Sequence, residues 1–362
     1  MCTTYKRIAV KVGSNVLTRP DGTLDVTRMS AIVDQVAALR SMGVEVILIS
    51  SGAVASGRSE LRGMPSRHLD TVGQRQLYSA VGQAKLINRY YELFREHNIH
   101  VGQVLTMKES FATRSLYLNQ RNCMMVMLEN GVLPIVNEND TVSVTELMFT
   151  DNDELSGLIA SMMDVQALII LSNVDGVYNG VPGNEGVEVI RRVEQGKELS
   201  DYIQATKSSF GRGGMMTKCN IARKVAEEGI AVYIANGKRN DILTSLVTAP
   251  DKVVCTCFVP NETTASSIKK WIAHSTGFVK GSIMLNADAV QAVCGDRAVS
   301  ILPVGVTGAE GSFWRDDLVQ VLAPDGTVLG VGRVAYDSKE IKEVIGKHGC
   351  RPIVHYNYLY LE

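Results

Sequence analysis

The chain has 362 residues, 45% of them hydrophobic and 21% charged, a balance that suits a globular protein with a sizeable core and room for two domains. Its formal net charge is −1, so bulk electrostatics recommend neither a nucleic-acid nor a membrane partner. Seven cysteines, an odd number scattered over the length, do not make a disulfide framework and read as reduced thiols in a cytoplasm.

The opening stretch, MCTTYKRIAVKVG, lacks a secretory apolar region because Lys6 and Arg7 interrupt it early. Apolar runs such as Ala167–Leu171 fall far short of the ~18 residues that span a bilayer, so the protein is expected to be soluble. Strands are predicted at Arg7–Gly13, Val44–Ser50, His100–Thr106, Gly131–Asn139, Val165–Ser172 and Ile230–Gly237. Between the first two, Ile32, Val33, Val36 and Leu39 share one helical face that ends at Gly43. Further helical patterns cover Thr71 to His97 and a stretch ending at Gly229. Near-continuous apolar strands alternating with helices predict an α/β fold, a mostly parallel sheet sandwiched by helices. Ligands of such sheets collect outside the carboxyl ends of the strands.

The texture changes after about residue 260. From Phe278 onward the chain is strand-rich with frequent glycine, and Asp325-Gly326 marks a hairpin turn. The expected organisation is a first domain over 1–260, a linker over 261–277 and a small β-rich domain over 278–362.

Polar residues and glycines gather where the strands end. Lys11, Gly13 and Ser14 follow the first strand; Ser51, Gly52 and Ala53 follow the second. A serine there can cap a helix whose amides point at an anion. Asn137 and Asp140 follow the fourth strand, Asn152 and Asp153 open a later helix, and Ser172 and Asn173 close the next strand. Each is weak alone: Ser-Gly is commonly a cap, the Asn137–Asp140 run a polar turn, and a strand lysine a solvent-facing chain. Asp151-Asn152-Asp153 suggests a calcium loop, but Leu155 falls where an EF-hand needs an oxygen ligand. Cys255 and Cys257 find no second pair or histidine cluster to complete a zinc site, so no protein metal ligand is assigned. The stretch Gly211–Lys218, GRGGMMTK, has the ingredients of a phosphate cradle without the spacing of the common phosphate-binding loop, GxxxxGK[ST].

The blocks VKVGSNVLT, ILISSGAVASGR, VLPIVNENDTV, TDNDELSGLIA and GRGGMMTK, in this order over residues 6–258, resemble the amino acid kinase family. They resemble in particular its members that phosphorylate the side-chain carboxylate of L-glutamate in proline biosynthesis. The tail, with GSIMLNADAVQAV, SILPVGV and GSFWRDDLVQVL, looks like a PUA domain, although the family's usual glycine-acidic pair is here Asp316-Asp317. Residues 279–362 hold 8 Lys and Arg against 10 Asp and Glu, a net of −2, which argues against RNA binding.

The resemblance implies transfer from ATP, with Mg²⁺, to L-glutamate. A carboxylate with a pKa of ~4.3 is already ionised at neutral pH and attacks without a general base, so only positioning and charge neutralisation are needed. By match to the family's motifs, Lys11 and Lys218 hold the phosphates and Asp153 holds the lysines. Gly13 and Gly52 supply close backbone donors. Ser51, Asp140 and Asn152, with Asn137, Gly52 and Ala53, hold the amino acid. Ser14, Ser172, Asn173, Arg212, Gly213, Gly214, Met215, Met216 and Thr217 join the lysines on the ATP side. The nucleotide-contact pair is commonly Thr-Asp in the family, and Arg212 stands where threonine is frequent. The resemblance further implies feedback inhibition by proline through the loop between Asp140 and Asp151, a homo-oligomer, and coupling to a glutamyl phosphate reductase. Two alternatives stay open: a family member acting on acetylglutamate or aspartate, and a PUA-bearing RNA-binding or regulatory protein with an inactive kinase domain.

Overall fold

The computed structural model describes residues 5–63, 69–111, 114–142, 152–196, 214–261, 272, 279–295 and 299–361. The chain divides into two compact units, Met1–Lys108 with Asn119–Thr264, and Glu109–Leu118 with Ala265–Glu362. The expected linker over 261–277 lies almost wholly outside the described residues.

In the first unit, strands β1 (Arg7–Val12), β2 (Glu45–Ser50), β3 (Val101–Thr106), β4 (Leu133–Glu138) and β5 (Ala167–Ser172) pair in parallel. With β6 (Arg192–Val193), β7 (Ala231–Asn236) and β8 (Cys255–Phe258) they form, among the described residues, an eight-stranded sheet ordered β3-β4-β2-β1-β5-β7-β8-β6. Among the described strand pairings of this sheet, β7–β8 alone is antiparallel. β1 lies between β2 and β5, so both of its faces and both of its edges are covered. Ile8, Ala9, Val10 and Val12 are accordingly fully buried, which is why the run is apolar without alternation.

The helices that alternate with these strands along the chain are α1 (Ser14–Leu17), α2 (Val26–Ser41), α3 (Ala53–Glu60), α4 (Thr71–Arg95) and α5 (Arg114–Glu129). They continue with α6 (Asn152–Met162), α7 (Met215–Glu227) and α8 (Ile242–Thr248). The predicted face of α2 is buried as expected, with Ile32, Val33, Val36 and Leu39 in the core, and Asp25 caps its start by accepting from Arg28 N at 3.1 Å. α3 and α4 pack backbone to backbone. A Cβ at Gly57 would lie 1.8 Å from the Tyr78 carbonyl oxygen, and one at Gly82 would lie 1.8 Å from that of Ala53. This contact fixes where the first half of α4 lies.

The second unit contains β9 (Gly281–Leu285), α9 (Ala287–Val293), β10 (Val306–Gly311), β11 (Leu318–Leu322), β12 (Val328–Val334), α10 (Glu340–Val344) and β13 (Val354–Leu361). Its strands are ordered β10-β9-β11-β12-β13 around a separate core that includes Ile283, Leu285, Phe313, Val319, Val321 and Ile353. The predicted turn at Asp325-Gly326 joins β11 to β12, with Gly326 at φ +86°. Asp316 sits at φ +76°, the left-handed region where the family's glycine would rest without strain.

The described cysteines, Cys123, Cys219, Cys255, Cys257, Cys294 and Cys350, are free thiols. Among the described residues no helix is long and apolar enough to cross a membrane.

Candidate active site

Lys11 is next to last in β1, a strand paired on both edges, and its residue is only 5% exposed. A lysine so placed needs a partner, since desolvating an unpaired charge is costly. Asp153, in the first turn of α6, provides it: Lys11 Nζ lies 2.5 Å from Asp153 Oδ1. Lys218, in the first turn of α7, lies 2.8 Å from Asp153 Oδ2. The three side chains were expected together, and the structure brings them together. Burial pushes the Asp153 carboxyl up, but the charges of Lys11 and Lys218 and their hydrogen bonds outweigh it and hold the group below its usual range. Two ammonium groups on one carboxylate leave the trio formally +1 in a site where Asp153 is 1% exposed. Such a cluster favours an anion.

Gly13 turns the chain out of β1 beside this trio. Its amide was expected as a free donor, but it donates to the Leu171 carbonyl at 3.1 Å and so continues the sheet ladder. What Gly13 offers instead is a bare Cα: an added Cβ would sit 3.1 Å from the Leu171 carbonyl oxygen and 3.8 Å from Lys11 Nζ. Ser14 opens α1, and its carbonyl accepts from Thr18 N and Oγ1.

A second group of polar residues lies at the ends of β2 and β4. The helix cap expected of Ser51 is not formed. Gly52 occupies the N-cap of α3 at φ +104°, a left-handed turn that Ser51 could make only under strain. The Ser51 hydroxyl instead accepts from Asn152 Nδ2 at 2.8 Å, and the same amide donates to Asn137 Oδ1 at 3.1 Å and to the Ser50 carbonyl at 3.2 Å. Ser51, Asn137 and Asn152 are therefore one connected network, and Ala53, 2% exposed, begins α3 beside it.

Asp140 has a neighbour that the sequence reading missed. Arg75, on α4, donates to Asp140 Oδ1 from Nε at 2.9 Å and from Nη2 at 2.5 Å, and Nη2 also reaches Glu138 Oε2 at 3.3 Å. Gln83, two turns further along α4, accepts from Asn137 Nδ2 at 2.8 Å. The available signal was the spacing Arg75, Ser79, Gln83 on one helical face, where Ser79 and Gln83 are buried and the face becomes apolar only at Leu86, Tyr90 and Phe94.

On the other side of the trio, Ser172 is buried at the end of β5 and its carbonyl accepts from Gly237 N at 2.8 Å, while Asn173 is exposed. Gly214 caps α7 in extended conformation, Met215 and Thr217 are half-buried and Met216 is exposed. Arg212 and Gly213 lie outside the described residues, as does most of the loop between Asp140 and Asp151.

The model of the amino acid kinase family matches residues 6–236, and that of the PUA domain matches residues 281–356. A glutamate 5-kinase of Bacteroides thetaiotaomicron is 67% identical over 99% of this chain and 99% of that protein. Glutamate 5-kinases of Chlorobaculum tepidum and Trichlorobacter lovleyi are 46% and 36% identical, over 99% and 94% of this chain and 98% and 90% of theirs.

Proposed function

The chain belongs to the amino acid kinase family, and on that premise we propose that it transfers the terminal phosphoryl group of ATP to the side-chain carboxylate of L-glutamate. The product is L-glutamyl 5-phosphate, the first intermediate of proline biosynthesis. Similarity to glutamate 5-kinases over nearly the whole chain supports the substrate, and the buried Lys11–Asp153–Lys218 trio is the observation that carries the chemistry.

Lys11 and Lys218 neutralise the oxygens of the transferring group from two sides, and Asp153 keeps the two ammonium groups close enough to do so despite their repulsion. The acceptor carboxylate is ionised at neutral pH and attacks directly, so no side chain has to remove a proton. One P–O bond forms to the glutamate side chain as the bond to ADP breaks, and ADP leaves with the electron pair. The bare Cα of Gly13 leaves room beside Lys11 for the phosphates. Mg²⁺ arriving with ATP supplies further neutralisation of the phosphate charge, and no protein group is assigned to it.

Ser51, Asn137 and Asn152 hold the acceptor, and Asp140 takes its α-ammonium. Residues 1–260 form the kinase domain and 278–362 the PUA domain of a cytoplasmic homo-oligomer, with proline as feedback inhibitor. The test is hydroxylamine trapping of the acyl phosphate with L-glutamate, acetylglutamate and aspartate as acceptors. Hydroxamate is expected with L-glutamate. Hydroxamate from aspartate and none from L-glutamate would overturn the assignment.

A further inference from the structure

Arg75 is bound to the acceptor side of the site more closely than packing alone requires. Three side chains on α4 bond to the segment that ends β4: Arg75 to Glu138 and Asp140, Gln76 to the Thr141 carbonyl at 2.9 Å, and Gln83 to Asn137 at 2.8 Å. The glycine contacts between α3 and α4 set the distance at which these bonds form. The carboxylates are deeply buried, Glu138 at 4% and Asp140 at 7% exposure, whereas the Arg75 side chain retains 28%.

Both bonds from Arg75 to Asp140 land on Oδ1, so Oδ2 takes no part in that contact. They come from Nε and Nη2, so Nη1 is committed to neither carboxylate. An α-amino acid presents an ammonium and a carboxylate on a single carbon. Asp140 Oδ2 and Arg75 Nη1, on two side chains joined at Oδ1, offer one acceptor and one charged donor for those two groups.

We propose that Arg75 and Asp140 form one receptor for the zwitterionic end of the acceptor, Asp140 Oδ2 taking the α-ammonium and Arg75 Nη1 the α-carboxylate. This rests on the phosphoryl-acceptor reading above and adds a residue to it. Arg75 then makes the enzyme selective for an acceptor whose α-carboxylate is free and ionised. It does not touch the transferring group, so its loss acts on acceptor binding and leaves ATP binding alone.

The experiment compares L-glutamate with its α-carboxamide, which keeps the side-chain carboxylate and the ammonium but loses the α-charge. Hydroxamate formation is followed for the wild type, Arg75→Gln and Arg75→Lys. In the wild type the carboxamide should be the poorer acceptor by about 10- to 100-fold in kcat/KM, the scale of a hydrogen bond to a charged group. Arg75→Gln should raise KM for L-glutamate by a similar factor, leave KM for ATP unchanged and bring the two acceptors within a few-fold of each other. Arg75→Lys keeps the charge without the fork, secures the fold should glutamine not support it, and should discriminate to an intermediate degree. If the variants lose activity on both acceptors by one common factor, or keep the wild-type discrimination, Arg75 only supports structure and the proposal falls while the kinase reading stands. If the wild type phosphorylates neither acceptor, both readings fall together.

Discussion

In the first unit, Lys11, Asp153 and Lys218 meet at the strand ends with the carboxylate 1% exposed and the lysine side chains at 6% and 13%. In the second unit, Arg315 pairs with Glu340 at 54% and 45% side-chain exposure, and Arg333 pairs with Asp316 at 19% and 62%. Water screens the second set, so those pairs contribute little and tolerate loss. The first set is desolvated, and each member depends on the others. A folding argument alone does not account for such a cluster, because a buried ion pair is no better for stability than a well-packed apolar contact. Its place is at the strand ends of a parallel sheet, where ligands of such sheets bind.

The largest break in this contrast comes from Asp153→Asn, which leaves two enclosed ammonium groups without their carboxylate. Stability should fall by about 3–5 kcal/mol, measured by denaturant unfolding, and phosphoryl transfer should be lost with it. The same carboxylate sets an acid limit. Its folded pKa lies below the usual range, so its contribution to stability is fully present above the unfolded value of about 3.9. That contribution is lost only as pH falls through the lower folded value. Unfolding free energy should therefore be insensitive to this group from pH 5 upward, and the Asp153→Asn penalty should shrink below pH 4. A penalty that already shrinks between pH 5 and 7 would mean the lysines do not hold the group ionised.

Lys218→Ala ranks next. It removes one of the two cations that the proposed mechanism sets against the transferring group but leaves Lys11 paired, so kcat should drop at least ~10²-fold with the fold retained. Near-normal turnover in a folded variant would remove Lys218 from the mechanism.

Gly82→Ala tests the scaffold that carries Arg75 and Gln83. Alanine favours a helix over glycine by about 1 kcal/mol, yet here its Cβ would fall 1.8 Å from a backbone oxygen of α3. The expected net result is a loss of about 1–3 kcal/mol from overpacking, with KM for the acceptor raised as α4 is displaced. A stabilised variant with unchanged KM would show that the two helices separate freely.

What the sequence disclosed follows the same division. The apolar runs located the central strands because burial on both faces leaves no alternation to misread, and Lys11 stood out as a charge inside one of them. Asp153 and Lys218 were legible through the family's motifs, each opening a helix. Arg75 was not, because it lies 65 residues from Asp140 and its pairing depends on how α4 crosses α3. Ser51 misled as a cap for a local reason: the residue after it is a glycine, which takes the left-handed cap position itself and leaves the serine hydroxyl to Asn152.

The smallest expected effect is in the second unit, at Asp316, where its sequence departs from the PUA domain's usual glycine-acidic pair. Asp316 holds φ +76° before β11, a conformation that costs an ordinary L-residue roughly 1–2 kcal/mol and costs glycine little. Its side chain offsets part of this by meeting Arg333 Nη1 at 3.2 Å. Arg333 also lies over the Tyr358 ring at 3.6 Å, so it keeps a partner if Asp316 is replaced. Asp316→Gly should therefore raise the stability of the protein by up to about 1 kcal/mol, since the exposed pair is worth less than the relieved strain. Asp316→Ala loses the pair and keeps the strain, and should lower stability by a similar amount. If glycine destabilises as much as alanine, the ion pair outweighs the backbone, and the second unit's exposed charges matter more than their screening allows.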